Sequence, residues 1–168
     1  MKTLVIHPED KTTDFLKVIY AGKEWSIINY RADRKEITKA ILEHDRIVML
    51  GHGSALGLFG YNDMVINSSL VYLLKGKQCV CIWCNADKFV DKYKLQGFYT
   101  GMIISEWQEA IDYAILPQGE DIDESNALFA STIASAIDSP TLLKEVKEIY
   151  KSETNPVILF NQENIYST

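Results

Sequence analysis

Short, continuous apolar runs alternate along this chain with longer stretches whose apolar positions recur at helical spacing. The runs Thr3 to His7, Trp25 to Tyr30, Ile47 to Leu50, Cys79 to Trp83, Gly101 to Ser105 and Val157 to Phe160 predict strands, and Met64 to Ile66 fits either state. Helices are predicted from Thr12 or Thr13 to Ala21, from Asp33 to Glu43, from Ser68 or Ser69 to Gly76, and from Asn85 to Leu95. Further helices are predicted over Glu106 to Leu116, Ser125 to Ile137 and Thr141 to Lys151. Asp33 is a ready N-cap, Gly22 and Gly97 are candidate helix stops, and Pro140 suits a first turn. The polar tail to Thr168 reads as loose.

Fully apolar strands, with no polar face, belong in a parallel sheet covered on both sides. The alternation therefore predicts one α/β domain over residues 1–168. Its architecture is a three-layer α/β/α sandwich with a mostly parallel sheet of about five or six strands. Ligands of such sheets sit beyond the carboxyl ends of the strands. The positions that matter are then His7, Gly51 to Ser54, Trp83 to Ala86 and Ser105 to Trp107.

Charge narrows the partners. The formal net charge of -6 disfavours a nucleic-acid or anionic-membrane partner, since both need a basic face. Lys75, Lys77, Lys88, Lys92 and Lys94 read as a solvated surface, as does the acidic stretch Glu120, Asp121, Asp123 and Glu124. No leader or membrane span is visible, and three clustered cysteines make a poor disulfide framework, so a cytoplasmic protein is expected.

Two strand ends carry chemistry. One delivers His52 between Gly51 and Gly53, and the other delivers Cys84 directly before a helix. On neighbouring strands both side chains emerge at the same sheet edge. A cysteine attacks as its thiolate, so it needs a base or a positive field, and His52 and the start of the following helix can supply these. The N–H groups of Gly53 and Cys84 are candidate oxyanion donors. Ser54, Trp83, Asn85 and Ser105 flank the pair as candidate substrate contacts.

The stretches from Ile47 to Ser54 and from Val80 to Ala86 each run from an apolar strand into a His-Gly or a Cys. That pattern resembles the caspase-like cysteine peptidases, which include caspases, gingipains, legumains, separases and the CHAT proteins. The short helix predicted before the second strand is similar to the CHAT-type layout. The resemblance extends over about residues 1–105. It implies a Cys84–His52 dyad, an oxyanion donor at Gly53, cleavage of peptide bonds in a peptide or protein substrate, and no metal or organic cofactor. The sequence departs from the family at Trp83, where a small or acidic residue is usual, and this admits a diverged or inactive relative.

Other readings of the same residues are blander. Cys79 and Cys81 share one strand face and belong in the core. Cys81 and Cys84 have redox spacing, but a redox pair starts its helix with the first cysteine. No zinc-type ligand set is legible, so no metal is expected. His44 suits a helix C-terminus and His7 a surface turn before Pro8. Gly51, Gly53, Gly57 and Gly60 match no dinucleotide or P-loop spacing. They still admit the alternative of a non-catalytic, flavodoxin-like domain that binds a nucleotide or other small ligand at Gly51 to Ser54 and Ser105.

Overall fold

The computed structural model describes residues 1–168. A six-stranded sheet forms its centre, from β1 (Thr3–Ile6), β2 (Ser26–Ile28), β3 (Arg46–Leu50), β7 (Gln78–Ile82), β8 (Gln96–Thr100) and β9 (Ile165–Ser167). Their order is β2-β1-β3-β7-β8-β9, with every pairing parallel except β8 with β9. A small antiparallel sheet of β4 (Gly53–Ser54), β5 (Gly57–Gly60) and β6 (Asp63–Ile66) leaves the carboxyl end of β3.

The period-two alternation of the strands sorts their side chains into two cores. Leu4, Ile6, Ile47, Met49, Cys79 and Cys81 face one side, where Ile37 and Ile41 of α1 (Arg34–Leu42), Leu73 and Leu74 of α2 (Val71–Leu74), and Phe89 and Val90 of α3 (Ala86–Tyr93) cover them. Val5, Val48, Leu50, Val80 and Ile82 face the other. There they meet the 3-10 helix Lys11–Ile19, α5 (Asp121–Ala136), α6 (Leu142–Ile149) and α7 (Pro156–Gln162). The sandwich has three layers, and Cys79 and Cys81 lie in the core as their shared face implies. No helix is long and apolar enough to cross a membrane.

Local chemistry accounts for the helix starts. Asp33 and Glu36 form a capping box at α1, each side chain taking the backbone N–H of the other. Asp10 caps the 3-10 helix through the Thr12 N–H at 2.9 Å.

Three segments depart from the sequence reading. The strand expected at Gly101 to Ser105 lies earlier, at β8, because Lys94 rather than Gly97 ends α3, in the left-handed region at φ 54°. Gly97 is instead a strand residue pressed against β7. The strand expected at Val157 to Phe160 is helix α7, since Pro156 occupies its first turn and the Asn155 side chain accepts from the Val157 and Ile158 N–H groups. The tail is not loose but forms β9, where Thr168 brackets Gly97, its N–H donating to the Gly97 carbonyl and its hydroxyl accepting the Gly97 N–H.

Candidate functional site

From β1 the chain runs outward to β2 on one side and, through β3, to β7 and β8 on the other, so the strand order reverses between β1 and β3. Crevices open at such a reversal, where flanking loops leave in opposite directions. A cleft of about 640 Å³ lies here, lined by Pro8, Glu9, Asp10 and His52, and by Phe59 to Met64 of the small sheet. Three carboxylates, Glu9, Asp10 and Asp63, and no lysine or arginine line it.

His52 is one-third exposed and sits on the wall of this cleft. It also lines a second, small cavity, shared with Gly51, Trp83, Cys84, Ile103 and Ser105. That cavity has about 20 Å³ of space, room for a single water. The structure thus brings His52 and Cys84 to one cavity from the ends of neighbouring strands β3 and β7.

His52 Nε2 lies 2.6 Å from Thr12 Oγ1, which donates to Asp10 Oδ1 at 2.7 Å. A hydroxyl has one proton to give. With that proton on Asp10, Thr12 accepts from Nε2–H, and the lone pair of the ring stays on Nδ1. Asp10 Oδ2 stands 3.9 Å from Nε2 and adds its charge. Its carboxyl is held below the usual range, chiefly by the Thr12 hydroxyl and N–H.

Cys84 is half-buried, and its thiol points at the Ile103 carbonyl (3.3 Å) and Glu109 Oε1 (3.8 Å). Burial, followed by the Glu109 charge, pushes the thiol up to about 12. The expected help from the following helix does not prevail. A carboxylate beside the sulfur and its desolvation outweigh the start of α3, and the resting thiol is protonated. No intramolecular hydrogen bond involves the Cys84 N–H, which leaves it free as a donor.

Glu109 comes from the short helix α4 (Trp107–Asp112). Its Oε2 accepts from the Ser105 N–H (2.7 Å), the Ser105 hydroxyl (3.2 Å) and the Glu106 N–H (3.1 Å). Oε1 is left facing Cys84. Ligating atoms of His52, Glu106 and Glu109 all lie within 4.8 Å of one another. His52 and the two glutamates come from segments more than fifty residues apart, so no ligand spacing in the sequence links them.

The remaining candidates divide. Ser105 is committed to Glu109. Ser54 is tied into the small sheet, its carbonyl accepting from Trp83 Nε1 at 3.0 Å and its hydroxyl from the Leu56 N–H. Trp83 is only 2% exposed and packs edge-on against Phe89, so it is chiefly a buried strut rather than a substrate surface. Gly53 exists for that strut, since a Cβ there would stand 2.2 Å from Trp83 Cδ1 and 2.4 Å from the Gly57 carbonyl. Asn85 adopts a left-handed conformation at φ 62° and makes no side-chain cap, its N–H donating to the Gly101 carbonyl.

His7 is not a surface turn residue. It is buried beneath the site, with Nδ1 3.0 Å from the Tyr20 hydroxyl and Nε2 3.1 Å from Thr13 Oγ1. Burial, then nearby Lys17, depresses it from 6.5 to about 4. The unfolded chain binds a proton here that the folded chain refuses, so this part of the stability is complete above pH 6.5 and is lost as pH falls towards 4. Urea titrations should show wild type losing roughly 3 kcal/mol more than His7→Gln between pH 7 and pH 4. Equal losses would mean that His7 is protonated in the folded state.

Sequence reasoning reached Glu106 only as part of the Ser105 to Trp107 stretch, and missed Thr12, Asp10 and Glu109 as site residues. Glu106 and Glu109 had one legible signal: an acidic residue followed three positions later by Glu is a helix-start pattern, here shortly beyond a strand end where ligands bind. Comparison of the chain with protein-family models, with curated proteins and with solved structures finds no match.

Proposed function

We propose that this chain is a cysteine hydrolase that cleaves peptide bonds through Cys84 and His52. The observation that carries the reading is that both side chains line one cavity at the ends of adjacent parallel strands, and that His52 also walls the larger cleft at the strand-order reversal. Substrate lies in the cleft, and the cavity widens to admit its carbonyl. Cys84 Sγ attacks the carbonyl carbon as His52 Nδ1 takes the thiol proton. The Cys84 N–H, with that of Gly53, stabilises the oxyanion. His52 returns the proton to the leaving amine as the C–N bond breaks. Water then attacks the thioester, releasing the carboxylic acid and restoring the thiol.

Thr12 and Asp10 act through His52 as positioning residues, holding the tautomer in which Nδ1 is the base. A protonated resting thiol means that chemistry waits for substrate, whose entry displaces water and brings Sγ against His52. The three carboxylates of the cleft favour a peptide with a lysine or arginine side chain beside the scissile bond.

The test is covalent labelling with two peptidyl chloromethyl ketones, one carrying a lysine side chain and one a leucine, with mass spectrometry to locate the adduct. Wild type should label at Cys84, faster with the lysine probe, and His52→Ala should label at least about tenfold more slowly. A Cys84 adduct that forms equally fast without His52 would remove the base from the mechanism.

A second reading has one observation in its favour, the Glu109 carboxylate that opposes thiolate formation. On that reading the cleft of a non-catalytic domain binds a cationic small ligand, and no probe labels Cys84 in a His52-dependent way.

A further inference from the structure

We infer that His52, Glu106, Glu109 and Cys84 form a binding site for a zinc ion, and that zinc holds the hydrolase inactive. The binding claim stands on geometry alone, while its inhibitory consequence rests on the function proposed above.

Zinc takes nitrogen, sulfur and carboxylate ligands in tetrahedral geometry at about 2.0–2.3 Å, which sets neighbouring ligand atoms roughly 3.3–3.7 Å apart. Cys84 Sγ and Glu109 Oε1, at 3.8 Å, stand just beyond that spacing. The ligating atoms of His52, Glu106 and Glu109 lie within 4.8 Å of one another, and about an ångström of side-chain adjustment brings these three to zinc spacing, with Cys84 joining from its place beside Glu109. None of these three side chains is fully buried, which leaves a path for the ion.

The surrounding hydrogen bonds orient the ligands as a metal site needs. Glu109 Oε2 is fixed by Ser105 and the Glu106 N–H, and this presents Oε1 to the ion. His52 Nε2 is committed to Thr12 and, through it, to Asp10, so Nδ1 is the ring atom available. Imidazole nitrogen, thiolate and two carboxylates suit zinc, whereas magnesium and calcium require six or more oxygen donors. In the zinc complex both members of the dyad are occupied by the metal. His52 cannot accept a proton, and Cys84 cannot reach a carbonyl carbon.

The experiment is calorimetric titration of the purified chain with ZnCl₂, alongside cobalt substitution read by absorption and the thermal midpoint of each metal-free variant. One zinc per chain is expected, with no comparable binding of Mg²⁺ or Ca²⁺. Glu106→Gln and His52→Ala should each weaken zinc roughly tenfold or more. Cys84→Ser should abolish the thiolate-to-cobalt charge-transfer band. Glu106→Gln is the decisive variant, since Glu106 and Glu109 share the capping box at the start of α4 and Gln keeps a side-chain acceptor there while removing the carboxylate. Zinc that binds wild type and a folded Glu106→Gln equally tightly, or no zinc binding at all, overturns the site. Zinc binding with these dependences but without any peptide hydrolysis supports the site and sinks the hydrolase reading instead. Hydrolysis that zinc leaves untouched at saturating occupancy overturns the inhibitory role.

Discussion

Cys84→Ala is expected to lower peptide hydrolysis by about a thousandfold or more, because no other group in the cavity can form the thioester. The thermal midpoint should barely move, since the substitution removes one half-buried sulfur whose only polar contacts are a long one to Glu109 and a weak bond to the Ile103 carbonyl. These two readouts separate loss of a nucleophile from loss of the fold. Cys79 and Cys81 cannot substitute, being buried on the opposite face of β7 from Val80 and Ile82 and walled in by the α1–α3 layer. Hydrolysis that survives in Cys84→Ala, measured on the same peptide in the same preparation, would end the case for a cysteine mechanism.

Gly97→Ala is expected to be the most damaging single methyl group in the chain. Residue 97 sits in β8 at φ +135°, a region that L side chains rarely adopt, and a Cβ there would lie 1.8 Å from the Cys79 carbonyl oxygen. That oxygen belongs to the β7 backbone, so relief requires β7 and β8 to separate. Backbone strain and a main-chain clash together put the cost at about 4 kcal/mol or more, a fall of roughly 8–16 °C in the unfolding midpoint for a domain of this size. Gly76 supplies the control. It also has positive φ, +79°, but a Cβ there meets nothing within 4 Å. Gly76→Ala should therefore cost only the strain, about 1–2 kcal/mol. Equal midpoints for the two variants in a thermal melt would show that β8 yields to the added methyl. A damaged β8 would also reach the site, since Thr100 at its end donates to the Trp83 carbonyl one residue before Cys84.

The two predictions touch different levels of the molecule, and their separation bears on what could be read in advance. Sheet and site are connected through strand ends: β3 delivers His52, β7 delivers Cys84, and the small sheet that follows β3 builds the far wall of the cleft. Trp83, directly after β7, couples these parts by donating to the Ser54 carbonyl in β4, and its indole dictates glycine at 53. The sequence reading assigned Gly53 to the oxyanion hole. Its stronger reason is the indole pressed against it, which no local pattern reveals.

Local patterning alone determined the α/β alternation, the buried strands β3 and β7, the capped start of α1, the shared face of Cys79 and Cys81, and the delivery of His52 and Cys84 to one sheet edge. These follow because strand and helix periods are short-range properties, and because parallel strands put their carboxyl ends together. Tertiary structure decided the rest. It ran the tail antiparallel beside β8 and buried His7, whereas the helix over Val157 to Phe160 had a local signal of its own in the Asn155-Pro156 start. It brought Thr12 from one side and Glu109 from the other against the two candidate residues. The protonation state of Cys84 was beyond the reach of sequence for the same reason: it depends on burial of the sulfur and then on a carboxylate 25 residues away, and both are set by tertiary packing.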